Sequence, residues 1–360
     1  MINGIYLDPR SWKVDCISHP KWDTKKFGVD VFLYDIDNNR PKLDKNCKFV
    51  IATEVWTIKM QNILNNFRNI SNLKIFLLPR EHAVAESYGR LMFTNKQFAN
   101  NGSYFFKPDV VLSSGQHYSN LWQDKTKTIN VGHPRYDAYA CNPWHEDVRI
   151  IRKRYNLDEN KKIIFFPSFQ KIHNQAKGQE PESADISKDL GNILKVLEKV
   201  AIDNSEKIQV VIKIHPIVQK LYLKGRGSLD PIMQKYYGTK TGPIRVIEDI
   251  RMDPSVAKNL LCVSDLVVSF RSTMLLEAAA INKPIINIMF QQAQGLGGLP
   301  DFVNRVYSVY NEQDLYNSII DFKNYKSYGP TDSRVVSDYF YNIDGNFCSR
   351  MCEAIKANIG

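Results

Sequence analysis

The chain has 360 residues, 43% of them hydrophobic and 24% charged, with a net charge of +10 and a pI near 9.1. That is long enough for two domains of ordinary size, each with its own core. No stretch approaches ~20 consecutive apolar residues, which excludes a spanning helix, and the opening Met-Ile-Asn-Gly-Ile-Tyr lacks a signal peptide, so a cytoplasmic protein is expected. The six cysteines, at 16, 47, 141, 262, 348 and 352, form no CxxC pair and no His/Cys ligand spacing. Reduced thiols and no bound metal are expected, with Cys348 and Cys352 on one helix face.

The first half alternates candidate strands (Val29 to Tyr34, Cys47 to Ala52, Lys74 to Leu78, Val110 to Leu112, Thr128 to Val131) with polar or helical stretches such as Trp56 to Phe67. This spacing predicts one Rossmann-like unit. Within it, Phe76-Leu-Leu-Pro-Arg-Glu-His-Ala83 is an apolar strand that ends in Pro79, Arg80, Glu81 and His82. Asn130-Val-Gly-His-Pro-Arg-Tyr-Asp137 is a strand end with a turn, Asn142-Pro143-Trp144 marks the crossing to a second domain, and Ile150 to Leu157 is a short basic helix. The second half repeats the alternation with strands at Ile163 to Phe166, Val210 to Ile214, Ile244 to Ile247, Leu266 to Ser269, Ile285 to Ile288 and Val306 to Val309. Two polar stretches, Ile172 to Ser187 and Gly225 to Gly242, read as loops near the site, and the glycine-rich Gln294 to Pro300 as a flexible loop. The expected division is 1–140 for an acceptor domain, 141–158 for the connection, 159–325 for a nucleotide-donor domain and 326–360 for a helical tail.

Three segments carry the chemistry. In Ser264 to Met289 a buried strand hands over to a helix at Arg271, Ser272 and Thr273. The unpaired N–H groups of a helix N-terminus, two hydroxyls and a guanidinium suit phosphate oxygens. Glu277, one turn later, suits the two hydroxyls of a ribose. The plain alternative is that Ser272 is an N-cap and Glu277 a solvated helix residue. In Gln209-Val-Val-Ile-Lys-Ile-His-Pro216, proline stops the strand and leaves His215 at its carboxyl end, where α/β sheets bind ligands. Its imidazole can donate to phosphate and, protonated, neutralise a leaving group; the alternative is a histidine that only closes a strand. Ser168 closes the strand Ile163 to Phe166 at the same edge, and Lys213 adds charge.

In this order the motifs resemble the GT-B glycosyltransferases and polyol-phosphate transferases of bacterial surface polysaccharide synthesis, over about residues 130 to 355. The Gly-x-Pro-Arg-x-Asp turn, the His-Pro strand and the Ser-Thr turn with its glutamate are similar to the CDP-glycerol glycerophosphotransferases, and also to bacterial sialyltransferases and capsule Kdo transferases. Asp338 to Arg350 resembles the tail of such capsule enzymes. The resemblance implies an α/β GT-B fold, two Rossmann-like domains facing a central cleft, and transfer without metal or other cofactor. It implies a CMP-, CDP- or UDP-linked donor held by Ser168, Lys213, His215, Arg271, Ser272, Thr273 and Glu277. Teichoic-acid polymerases carry Asp-Tyr-Ser-Ser where this chain has Ser269-Phe-Arg-Ser-Thr273, and a Trp-His-Gly motif that is not found here. A sugar donor, with inversion at the transferred carbon, is therefore favoured over CDP-glycerol. The rivals are a CDP-polyol phosphotransferase, a sugar-nucleotide 2-epimerase and a non-catalytic GT-B scaffold.

Inversion needs a base for the acceptor proton, and Glu81 or His82 is the candidate. Glu81 as a helix cap is the alternative, Glu54 is in reserve, and His117 and Asp137 are further candidates. His133 and Arg135 are assigned to the turn rather than to chemistry. The basic clusters Lys125 to Lys127, Arg149 to Arg154 and Lys220 to Arg226 suit an anionic donor, a polysaccharide or lipid-linked acceptor and the inner membrane surface, or serve only solubility. No nucleic-acid-binding motif is present.

Overall fold

The computed structural model describes residues 1–7, 23–34, 46–53, 58–70, 73–79, 106–122, 126–140, 147–168, 183–225, 228–248, 254–270, 272, 274–290, 306–322 and 337–359. The chain divides into two compact units, Met1–Pro143 with Asp332–Gly360, and Trp144–Thr331. The residues after 331 thus belong with the first unit, and the basic helix near 150 with the second. Among the described residues, no helix is long and apolar enough to cross a membrane.

The first unit is built on β1 (Ile2–Leu7), β2 (Val29–Tyr34), β3 (Cys47–Ala52), β4 (Lys74–Leu77), β5 (Val110–Ser113) and β6 (Lys127–Asn130). All pairings are parallel and the order is β2-β1-β3-β4-β5-β6. The sequence reading missed β1, because Asn3-Gly4 has the composition of a turn. Glycine is there for packing instead: a Cβ on Gly4 would run into the Phe49 ring of the neighbouring strand. Helices α1 (Ile58–Arg68) and α2 (Gln116–Trp122) cover one face and bury Met60, Leu64, Phe67 and Trp122 with Val50, Ile75 and Val111.

The second unit contains α4 (Val148–Arg154), β7 (Lys162–Pro167), α5 (Ser183–Asp203), β8 (Ile208–Lys213), α6 (Pro216–Leu223), α7 (Pro231–Tyr236), β9 (Ile244–Ile247), α8 (Pro254–Val263), β10 (Leu266–Ser269), α9 (Met274–Ala280), β11 (Ile285–Ile288), β12 (Ser308–Val309) and α10 (Glu312–Asp321). The one-turn helix α3 (Pro134–Asp137) precedes them in the first unit. The sheet order is β12-β11-β10-β7-β8-β9, again parallel throughout. Strands β8, β9, β10 and β11 are buried at every position, as parallel strands covered on both faces must be. Two stretches read as loops differ. Residues from Ser183 onward are helical, because Leu190, Ile193, Leu194, Leu197, Val200 and Ala201 recur at helical spacing and pack on the sheet. The 225–242 segment contains α7, with Asp230 capping the Ile232 amide and Met233 buried in the same core.

The last helix, α11 (Phe347–Ile359), is fastened to the first unit by one carboxylate. Asp137 is fully buried. Its Oδ1 accepts the amides of Asp344 and Gly345, both at 2.8 Å, and its Oδ2 the amide of Phe347 at 2.7 Å. The carboxylate so caps a helix N-terminus from outside the helix. Arg350 completes the cluster: Nε donates to Val131 O at 2.8 Å and Nη1 to both oxygens of Asp344 at 2.7 and 2.8 Å. Gly345 sits at φ 79°, in the left-handed region that a side chain disfavours. The Gly-x-Pro-Arg-x-Asp turn and the Asp-Gly-x-Phe tail are therefore two halves of one structural joint. Burial pushes the Asp137 carboxyl above its usual range, against the pull of the three amides and Arg350. This use removes Asp137 from the candidate bases.

Asp137→Ala leaves three N–H groups without their acceptor and should destabilise the first unit by about 2–4 kcal/mol. Hydrogen exchange is the suitable readout: the amides of Asp344, Gly345 and Phe347 should lose protection while those of β7 and β8 in the second unit keep theirs.

Candidate functional site

In the second unit the strand order reverses between β7 and β10, the two central strands. At such a switch point the crossover helices diverge and leave a crevice at the carboxyl ends of the strands. The chain places Ser168 after β7, Lys213 and His215 at the end of β8, and Ser269 and Ser272 at the end of β10. Since β7 pairs with both β8 and β10, Ser168 lies between the other two groups along the sheet edge.

The β7–β8 ladder is extended by one side chain. Ser168 N donates to Lys213 O at 2.9 Å, and Ser168 Oγ accepts the His215 amide at 2.9 Å. Pro216 then opens α6, and His215 O accepts the Gln219 amide at 3.1 Å. His215 is therefore held on both sides of its α-carbon, by a hydroxyl before and a helix after. Burial, and next the Lys213 ammonium, hold its imidazole down at about 4. Without an anion beside it, His215 is a neutral donor and acceptor at physiological pH.

Ser272 does act as an N-cap: its Oγ accepts the Met274 amide at 3.2 Å and its carbonyl the Leu275 amide at 3.0 Å. Glu277 is not the solvated residue of the plain alternative. It is buried and pairs with the equally buried Lys258 of α8, Nζ to Oε2 at 3.4 Å. Ser269 was read only as the end of a strand, but its buried Oγ has no hydrogen-bond partner among the described residues, an unusual state for a buried hydroxyl. The available signal was a hydroxyl on the last residue of an otherwise apolar strand. Arg271 and Thr273 lie outside the described residues.

In the first unit, Glu81, His82 and the reserve candidate Glu54 also lie outside the described residues. The structure does show what anchors the chain just before Glu81. His133 is buried; its Nδ1 accepts the Arg135 amide at 3.2 Å, which puts the proton on Nε2, and Nε2 donates to Pro79 O at 3.0 Å. His133 is thus the N-cap of α3 and a strut under the end of β4. His117 stacks on Tyr339, with ring centroids 4.9 Å apart, and is a packing residue.

A model of CDP-glycerol:poly(glycerophosphate) glycerophosphotransferases matches residues 89–357. No curated protein matches the chain by sequence. Among solved structures, it is similar to the UDP-GlcNAc 2-epimerase of Neisseria meningitidis bound to UDP-GlcNAc, with 14% identity, 99% of each chain covered and a TM-score of 0.60. The wall teichoic acid polymerase TagF is similar at 13% identity, over 99% of this chain and 89% of that one, with a TM-score of 0.58. The UDP co-structure of MnaA from S. aureus gives 15% identity, 99% and 96% coverage and a TM-score of 0.56. These likenesses establish the fold, which is GT-B.

The buried imidazole makes stability depend on pH. Between about pH 4 and pH 6.5 an unfolded chain protonates His215 and the folded one does not, so stability is fully present above 6.5 and is lost as pH falls towards 4. In a pH series of unfolding curves, His215→Gln should flatten that part of the decline.

Proposed function

The chain belongs to the CDP-glycerol:poly(glycerophosphate) glycerophosphotransferase family, and from that premise we propose that it transfers a polyol phosphate from a CDP-linked donor to the end of a cell-surface polymer. The observation that carries the reading is His215, held by Ser168 beside Lys213 at the switch point of a Rossmann sheet. The acceptor hydroxyl attacks the phosphorus that bears the polyol. A new P–O bond forms, the diphosphate P–O bond breaks, and CMP leaves with the electron pair. The proton of the acceptor goes to Glu81 or His82.

His215 serves the leaving side. A docked diphosphate reverses the local field set by burial and Lys213, so the imidazole takes up a proton as the donor binds and neutralises charge on the departing CMP. Ser168, Ser272, Arg271, Thr273 and Lys213 supply further donors, and Glu277 accepts the ribose hydroxyls. Helix termini and basic groups do the neutralising in this scheme, so it needs no metal. The net charge of +10 suits an anionic donor and an anionic acceptor polymer.

A nucleotide-sugar donor, favoured from the sequence, becomes the second reading. Its support is the departure at Ser269-Phe-Arg-Ser-Thr273 from the Asp-Tyr-Ser-Ser of teichoic-acid polymerases. Family membership weighs more, because it covers most of the chain, whereas the epimerase likeness rests on the fold alone.

Thermal shift against CMP, CDP, UDP, GDP and TDP separates the readings, because a ligand that binds only the native state raises its stability. Cytidine nucleotides should stabilise the protein, and His215→Ala should lose the shift together with turnover of CDP-glycerol. Stabilisation by UDP alone would return the sugar donor, and no shift with any nucleotide would favour a scaffold.

A further inference from the structure

The Lys258–Glu277 pair is the one buried opposite-charge pair among the described residues placed inside the nucleotide half of the site. Lys258 lies on α8 and Glu277 in the first turn of α9, and their side chains are 3% and 7% exposed. Both groups are almost fully removed from water, where an ion pair offsets part of the cost of burying its charges. The ionised form matters because a carboxylate accepts two hydroxyls at once, while a protonated carboxyl must spend one oxygen as a donor. Cys262, one turn beyond Lys258, is in electrostatic reach of both partners, and burial pushes its thiol up; Lys283 in turn acts on Cys262.

We propose that Lys258 is a positioning residue for donor recognition: it holds Glu277 as an oriented carboxylate so that Glu277 accepts both hydroxyls of the donor's ribose. Lys258 itself touches no substrate. The assignment rests on the reading of Glu277 as the ribose acceptor, and it makes the choice of a ribonucleotide over a deoxynucleotide depend on a lysine from a different helix. An ion pair that merely joins α8 to α9 predicts something else, a loss of stability with ribose preference intact.

The test is calorimetric binding of CDP and 2′,3′-dideoxy-CDP to the full chain. The wild type should prefer CDP, and Lys258→Met should bind CDP about tenfold more weakly, the worth of one charge-assisted hydrogen bond, with dideoxy-CDP binding unchanged. Lys258→Arg should restore the preference. If Lys258→Met does not fold, the comparison is Glu277→Gln against Lys258→Met with Glu277→Gln, in which no charge stays buried. The two should discriminate ribose equally; a further loss in the double variant overturns the proposal. Full ribose preference in Lys258→Met overturns the role of Lys258 and leaves that of Glu277 standing. Equal binding of CDP and dideoxy-CDP by the wild type overturns the reading of Glu277, and the proposal with it.

Discussion

A chain that leaves its first sheet near residue 143 and returns at 332 has to be fastened where it comes back. The carboxylate of Asp137 does this by taking three backbone amides from a single turn, at Asp344, Gly345 and Phe347. These amides belong to the entrance of α11, where helix geometry leaves N–H groups unpaired. One buried side chain therefore satisfies the start of a helix more than 200 positions away in sequence. Arg350 locks the same turn from the other side through Asp344 and Val131. The motif pair that carried the family resemblance at either end of the match is in physical terms a joint, and its residues are occupied with backbone rather than with substrate.

The proposed chemistry belongs to the other kind of position, the carboxyl ends of parallel strands. Parallel pairing directs every strand of the second sheet to the same edge, so side chains far apart in sequence, Ser168, His215 and Ser272, line up without any local instruction to do so. Proline after His215 and the hydroxyl of Ser168 before it fix the backbone at His215. Burial, and next Lys213, keep its imidazole neutral at physiological pH.

Charged groups held by polar partners recur in both units. Arg350 stands near Asp137 and bonds Asp344, Lys258 meets Glu277, and Lys283 donates to the carbonyls of Cys262 and Ser264 at the end of α8. Each group is compensated by a partner from a different element, because a charge left alone in such surroundings would protonate, deprotonate or unfold its site. Rigidity at these places follows from electrostatics as much as from the apolar core.

Much of this was legible in the residues themselves. Periodicity alone marks most of the strands, since a strand covered on both faces reads as an uninterrupted apolar run, and His215-Pro216 announces a strand that stops at a functional edge. Local chemistry also foretells the Ser272 cap. β1 escaped because Asn3-Gly4 is a turn by composition and a strand only because the Phe49 ring needs the space above Gly4. Asp137 resembled a candidate base because a carboxylate near a turn looks the same in sequence whether it faces water or three amides. The cation that serves Glu277 was invisible for the same reason: Lys258 and Glu277 are 19 positions apart on different helices. Sequence determined most of the segments that form elements and which of them end at the carboxyl edge of the second sheet, because those properties are set largely by neighbours along the chain. Only the tertiary structure decided which charges meet, because burial and pairing depend on groups that the chain brings together from far apart.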